Sequence, residues 1–339
     1  MDSHKGPLRA GIVGAGLMGR WHAHAILRAG GRLAAVADLN LDTAKRLADR
    51  YPGADIFPDV TRMLNRIPLQ VLHVCTPPST HYDVARQGID AGANLLIEKP
   101  MTPQAAETDR LLQQTAHRGV RICPVHQFIF QDGVLEGIAL LPEIGRLVHI
   151  EGIFSSAGGT GQPQDRLDEI VADILPHPLS LIQKFLPQGI GKTVWSAVRP
   201  GPGEIRIFGE MTGITLSIFI SMNSRPTQCS FEIRGTAGTL HLDLFHGCGW
   251  MEPGKVSRTR KIFFPFEQAW RRTLTAATNL AWRTLRWEPA YPGLQRLVRS
   301  FYESLRNGGE SPISNEDILV LAQTRDLLLQ KAGSLQGNS

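Results

Sequence analysis

Short apolar runs alternate with helical patterns over residues 8–125. The runs fall at 8–13, 33–37, 71–75, 95–97 and 120–125. Between them the spacing predicts helices near 18–29, 41–50, 79–91 and 104–118, with a shorter one near 59–66. Strand, helix, strand in this rhythm makes βαβ units and a parallel sheet. Beyond about residue 128 the rhythm changes. Residues 146–154 read as a strand, a loop rich in Gly, Gln and Pro follows at 156–164, and 168–186 are helical in pattern but hold two prolines. Runs of strand type recur at 193–199, 204–209, 214–222, 228–234, 239–245 and 260–264. Their short connections, such as Gly235-Thr236-Ala237-Gly238, favour antiparallel pairing. Residues 267–332 read as three helices. The expected class is α/β: a doubly wound parallel sheet over 1–128, then an α+β domain over 129–339 with a large, mostly antiparallel open sheet.

Composition fits this picture. A chain of 339 residues is long enough for two domains, and 42% hydrophobic with 20% charged residues is an ordinary globular balance. No run approaches the length of a spanning helix. Glycines interrupt the N-terminal segment where a signal peptide needs an apolar core. Cys75, Cys123, Cys229 and Cys248 are scattered and form no CxxC pair, so a reducing cytoplasm is the expected home. The net charge is +5, but 255–286 alone holds eight Lys or Arg against Glu267, a net +7 that leaves −2 for the rest. The excess is local, and no helix-turn-helix, zinc finger or RNA-recognition motif accompanies it, which argues against nucleic acid as a partner.

Gly14-Ala15-Gly16-Leu17-Met18-Gly19 fits G-x-G-x-x-G, follows the first strand run and opens a helix. In that setting Gly14 allows the tight turn, Gly16 lets backbone approach a pyrophosphate, and Gly19 lets the helix pack on the strand. Amides at the helix start, around Leu17 and Met18, face the anion. Asp38 ends the second strand, where its carboxylate can accept hydrogen bonds from the adenosine ribose hydroxyls and repel a 2′-phosphate. No Arg follows at Leu39 or Asn40, so NAD is expected rather than NADP.

Further stretches stand in order behind this turn: VCTPPSTH at 74–81, IEKP at 97–100, DILPH at 173–177 and IRGTAGTL at 233–240. Together they resemble the Gfo/Idh/MocA family of NAD(P)-dependent oxidoreductases, well over roughly 8–245 and loosely beyond. The resemblance implies a Rossmann domain and an open-sheet domain with the substrate between them, the last helices returning toward the first domain, and a homodimer or homotetramer. It implies a sugar, cyclitol or sugar derivative as substrate. It also implies that Thr76, Pro77 and Pro78 border the cofactor with His81 nearby, and that Glu98-Lys99-Pro100 matches the family's EKP, whose Lys–Pro bond is often cis.

Oxidising a secondary alcohol moves a hydride to the nicotinamide and a proton off the hydroxyl. The cofactor carries the first; the protein supplies a base and a charge stabiliser for the second. Lys99 lies just past the end of a predicted parallel strand, where ligands bind in such sheets. A surface lysine paired with Glu98 is the plainer reading, and the EKP context turns it toward catalysis. Asp173 and His177 are four apart, and Pro176 and Pro178 bracket the histidine. Proline suits the first turn of a helix, so a helix is expected from 176–178 to about 186 with His177 at its start. The helix dipole there disfavours imidazolium, while Asp173 opposes that shift and can fix the tautomer. Lys99 and His177 are thus the expected acid/base pair, with roles that can exchange, and Asp173 orients the histidine or binds a substrate hydroxyl. His126 is a further candidate substrate contact. The stretch before Asp173 lacks the glycine-rich lead of many relatives, which bears on the substrate pose.

Other chemistries find little support. His22 and His24 do not share a helix face, and no convergent set of metal ligands appears. Cys75 reads as an inert core thiol, and no G-x-S-x-G is present. Two alternatives to a simple dehydrogenase remain open. A redox-assisted epimerase or glycoside-cleaving lyase could use the same Lys and His with transient NAD reduction. A non-enzymatic dinucleotide sensor would keep Gly14, Gly16 and Asp38 but has no use for Lys99 and His177. Finally, Trp270, Leu274, Ala277, Ala281 and Leu285 make one helical stripe within 267–287, with Arg271, Arg272, Arg283 and Arg286 around it. The plainer reading is a helix packed on the sheet or at a subunit interface. The sharper one is contact with an acidic partner, a nucleotide-sugar diphosphate or an anionic membrane surface, though the Ala/Thr-rich face argues against firm insertion.

Overall fold

The computed structural model describes residues 6–254, 260–288 and 290–334. The chain begins with β1 (Arg9–Val13), α1 (Leu17–Arg28), β2 (Arg32–Ala37), α2 (Leu41–Ala48), β3 (Asp55–Phe57), α3 (Val60–Arg66), β4 (Val71–Val74), α4 (His81–Asp90), β5 (Asn94–Ile97), α5 (Ala105–Arg118) and β6 (Ile122–Pro124). It continues through α6 (Asp132–Ala139), β7 (Leu147–Ser155), α7 (Gln164–Ile174), α8 (Pro176–Phe185), β8 (Val194–Val198), β9 (Glu204–Met211), β10 (Ile214–Ser221), β11 (Gln228–Gly235), β12 (Gly238–Asp243), β13 (Cys248–Pro253) and α9 (Arg260–Leu285). It closes with α10 (Leu294–Asn307) and α11 (Asn315–Ser334). Two units result. One runs through His126 and takes up Leu294–Ala322; the other comprises Gln127–Gly293 and the chain from Gln323.

The first unit holds a six-stranded parallel sheet in the order β3-β2-β1-β4-β5-β6. Its central strands carry apolar residues on both faces, such as Ala10, Ile12, Leu72 and Leu95, all fully buried, as a sheet covered by helices on each side requires. Asn40 caps α2 by accepting from the amides of Asp42 and Thr43, and Asp59 caps α3 through Arg62 N–H. The register matters most for function. Val13 pairs with Ala37 and Val74, Val74 with Ile97, and Ile97 with Pro124. Five strands therefore end level. The residues that follow them, Gly14, Asp38, Thr76, Glu98-Lys99 and His126, gather along one carboxyl edge, the edge at which ligands bind in doubly wound sheets.

The second unit is built on a seven-stranded sheet, β13-β12-β11-β7-β10-β9-β8. Only β7 and β10 run parallel; every other neighbouring pair is antiparallel. Alternation along β12, with Leu240 and Leu242 buried and Thr239, His241 and Asp243 half-buried, marks one core face and one wetter face. α6 lies against β12 and β13 on the core side. The α/β class and the mostly antiparallel second sheet are as the sequence predicts.

Some local expectations are corrected. Residues 260–264 are not a strand but the start of α9. A short apolar run fits either period, and here Ile262 and Phe263 are exposed rather than packed in a sheet. The single helical pattern at 168–186 is two helices, α7 and α8, joined at Leu175. β3 and β13 are strands where the apolar pattern predicts none. The Trp270–Leu285 stripe does not pack on the sheet; it faces outward.

Candidate active site

The glycine turn meets each demand placed on it. Gly14 has φ +93°, and a Cβ there would stand 2.6 Å from the Cys75 carbonyl oxygen. A Cβ on Gly19 would stand 2.1 Å from the Gly14 carbonyl oxygen, so only glycine lets α1 close on the turn. A Cβ on Gly16 would meet nothing within 4 Å. The one open side of the turn is thus at the residue that a pyrophosphate must approach, and Gly16 and Leu17 are exposed beside half-buried Met18. A cavity of about 310 Å³ adjoins Gly16, and Arg20, Arg46 and Arg50 among its lining residues bring positive charge to it. Asp38 braces the turn: its Oδ2 accepts from Ala15 N–H at 2.7 Å and its Oδ1 from Asn40 N–H at 2.8 Å. These features fit a dinucleotide diphosphate with its ribose toward Asp38.

Thr76, Pro77 and Pro78 form the loop beyond β4. His81 ties that loop to the next. Its Nε2 lies 2.7 Å from the Thr76 carbonyl oxygen and its Nδ1 2.9 Å from that of Pro100. The ring is fully buried, so His81 shapes the two loops rather than lining their surface. The Lys99–Pro100 bond is cis. Cys75 is no nucleophile: burial first, and Glu98 second, push its thiol well up.

Glu98 is buried and ends a chain of polar side chains that the sequence did not reveal. His22 Nε2 lies 3.0 Å from Glu98 Oε1, His22 Nδ1 2.7 Å from His73 Nδ1, and His73 Nε2 2.9 Å from Tyr302 Oη. His22, His73 and Tyr302 are all fully buried. The backbone N–H of Lys99 donates to the other Glu98 oxygen at 3.3 Å. The carboxylate thereby anchors the backbone that presents Lys99.

His126 stands past β6 as Lys99 stands past β5, on neighbouring strands. Burial, followed by the positive charge of Lys99, pushes its imidazole down to about 4, with Glu98 opposing. Its Nδ1 is buried and has no hydrogen-bond partner among the described residues. A neutral imidazole with such an atom beside a lysine is suited to a substrate hydroxyl.

In the second unit, Leu175 is in the right-handed helical region (φ −53°, ψ −36°) and donates to the Val171 carbonyl, so the helical turn carries from α7 into α8. Asp173 and His177 keep their four-residue spacing across this junction and share a side of it. The start of α8 is therefore a junction and not an isolated helix end, which weakens the dipole expected at His177. The His177 ring is buried and stacks on Phe128, centroids 4.3 Å apart at 19°. Asp173 faces Arg325, a residue the sequence did not single out. Arg325 is buried, which pulls its guanidinium down, while Asp326 and Asp173 oppose the shift. No group of His, Cys, Asp or Glu among the described residues is arranged to hold a metal ion.

Comparison with known proteins agrees with this geometry. Residues 8–126 match the family GFO_IDH_MocA, described as "Oxidoreductase family, NAD-binding Rossmann fold". The chain is 34% identical over 120 residues to Inositol 2-dehydrogenase 4 of Saccharopolyspora erythraea, covering 35% of this chain and 36% of that one. It is 33% identical over 182 residues to UDP-N-acetylglucosamine 3-dehydrogenase of Acidithiobacillus ferrooxidans, covering 51% and 53%. The chain thus spans between about a third and about half the length of these relatives. In fold it resembles the WlbA dehydrogenase from Bordetella pertussis, solved with NADH and UDP-GlcNAcA, with a TM-score of 0.76, 16% identity and coverage of 97% and 96%. Residues 8–126 thus match the NAD-binding Rossmann domain of the Gfo/Idh/MocA oxidoreductase family, and over the whole chain the likeness is one of fold.

Proposed function

We propose that this protein is an NAD-dependent dehydrogenase acting on a secondary alcohol of a sugar, cyclitol or sugar derivative. The observation that carries the reading is the level carboxyl edge of the first sheet. One line of residues there combines an open glycine turn, a ribose-facing carboxylate, a lysine anchored through Glu98, and a neutral histidine. The names of the inositol and nucleotide-sugar dehydrogenases to which the chain is similar support the substrate class.

NAD, when bound, supplies the acceptor for the hydride. The chain's own part is to hold and move a proton. Lys99 Nζ donates a hydrogen bond to the reacting hydroxyl oxygen and stabilises the negative charge that develops on it. His177 accepts the hydroxyl proton, and Phe128 holds its ring plane. Asp173, steadied by Arg325, orients His177 or takes a substrate hydroxyl. His126 contacts a further hydroxyl beside Lys99, and His81 positions the loops that border the nicotinamide. In reduction the same groups act in reverse.

The test is a panel of sugars, inositols and nucleotide sugars with NAD, followed by NADH absorbance. At least one of these polyols yields NADH in proportion to its oxidised product. Product formed with no net NADH overturns the simple dehydrogenase, and NAD binding with no turnover of any class overturns the catalytic reading.

A further inference from the structure

The helix α9 is inside out. Seen down its axis, Gln268, Arg272, Asn279, Arg283 and Arg286 fall on one side, at helical spacing. This polar side faces the protein. Gln268 bonds Glu252; Asn279 Nδ2 and Arg283 Nη1 donate to the His246 carbonyl oxygen at 2.9 and 3.0 Å. Arg272 lies over the Trp250 ring at 5.5 Å, and Arg286 Nη1 pairs with Asp132 Oδ2 at 2.6 Å. Between α9 and the outer face of β11–β13 lies a cavity of about 830 Å³, walled by Glu232, His241, Trp250 and Glu252, and the polar side of α9 closes over it.

The opposite side carries Phe263, Phe266, Trp270, Leu274, Ala277, Ala281 and Leu285, with Ile262 and Leu280 flanking. Its large side chains are between 45% and 76% exposed. Trp282 and Trp287, 58% and 74% exposed, stand nearby. An apolar face of this length, about 35 Å at the helical rise, is far more than scattered surface hydrophobes.

We propose that α9 lies in the plane of an anionic membrane surface, its aromatic stripe at the boundary between headgroups and acyl chains. Charge complementarity selects this occupant. The segment 255–286 carries net +7 while the rest of the chain carries −2, so the excess positive charge belongs to the segment that bears the apolar face. Even Arg272, Arg283 and Arg286 on its opposite side stand about one helix diameter, roughly 10 Å, from a surface that face touches, near the Debye length at moderate salt. A two-fold pairing with a second copy would set the same basic segment against itself, at a repulsive cost. A helix with Trp, Phe and Leu on one side, and Arg at its flank and on the other, has the composition of helices that rest in bilayer interfaces. No helix among the described residues is long and apolar enough to cross a membrane, and a helix in the interface plane does not need to be.

The experiment is co-sedimentation of the full chain with vesicles of phosphatidylcholine alone, or with about one-third phosphatidylglycerol, at low and high salt. The protein sediments with the anionic vesicles at low salt, at least roughly tenfold less at high salt, and not with neutral vesicles. The triple variant Phe263→Ser, Phe266→Ser, Trp270→Ser loses this binding, while its circular dichroism and NADH binding stay unchanged, since the three side chains are exposed. Absence of binding to anionic vesicles at low salt overturns the proposal. So does binding that the variant leaves intact, or a variant whose sole effect is to convert a larger oligomer to a smaller one, which assigns the stripe to a second copy.

Discussion

His22 Nε2 is 3.0 Å from Glu98 Oε1, both residues buried, and this contact fixes where His22 must carry a hydrogen. A carboxylate can only accept, so His22 Nε2 carries the hydrogen. The two Nδ1 atoms of His22 and His73 share one hydrogen between them, and His73 Nε2 meets the Tyr302 hydroxyl, which can donate or accept. Burial, and then the His22 ring, hold His73 well below the usual imidazole range, so His73 is neutral and offers one donor and one acceptor to its two neighbours. Burial also raises the Tyr302 phenol, so it keeps its proton. Tyr302 sits on α10, which thereby reaches the lysine loop through two histidines.

Breaking this chain unseats Glu98. We expect His22→Ala to cost about 2–3 kcal/mol in denaturant unfolding, because a buried carboxylate loses its charged-group hydrogen bond. Tyr302→Phe costs about 1 kcal/mol. As Glu98 anchors the backbone of Lys99, His22→Ala also lowers kcat more than it raises KM. A purely structural role moves only the unfolding midpoint.

Acid destabilises the native state through His73 and His126. Both have native values below the ordinary imidazole value of about 6.5, His126 at about 4, so between those limits the unfolded chain binds protons that the folded chain refuses. Stability is full above about 6.5 and falls as pH drops, by up to roughly 1.4 kcal/mol per pH unit for each ring. Urea midpoints from about pH 7 to about pH 5 check this, and His126→Asn reduces the slope by one group's share.

The glycine turn separates folding from binding. Gly16→Val leaves the melting temperature unchanged, since its side chain enters open space, but weakens NAD binding by roughly tenfold or more. Gly19→Val drives a Cβ into the Gly14 carbonyl and destabilises by roughly 1–3 kcal/mol or more. Calorimetry and NADH fluorescence on the two variants test both halves.

Stacking against Phe128 gives His177 a fixed ring plane. Phe128→Ala lowers kcat by roughly tenfold with NADH binding unchanged, a range set by the acid–base contribution it would misalign. Unchanged kcat would leave the stack a packing contact only.

Much of the fold was legible because the physics was local. Strands such as β1 and β4 are buried on both faces and read as unbroken apolar runs, and Gly14, Gly16 and Gly19 name their own turn. β3 leaves no such run, because it is three residues long and Asp55 and Ile56 are exposed. The stripe on α9 was legible as a stripe; periodicity tells which residues share a side and not whether that side faces in. The Glu98–His22–His73–Tyr302 chain was illegible for another reason. Its contacts span 76, 51 and 229 residues, and a lone histidine on an apolar strand announces nothing about its partner. Arg325 is likewise distant from Asp173 in sequence, and it emerges only from its burial and their electrostatic interaction.

Lys99 and His177 handle the proton in the proposed reaction, while NAD binds independently of them. The most direct measurement is steady-state NADH production by Lys99→Met and His177→Ala, beside NADH binding to the same proteins, on whichever polyol the wild type oxidises. We expect binding within about twofold of wild type and turnover reduced by roughly a hundredfold or more in each. Wild-type turnover in both variants would contradict the account.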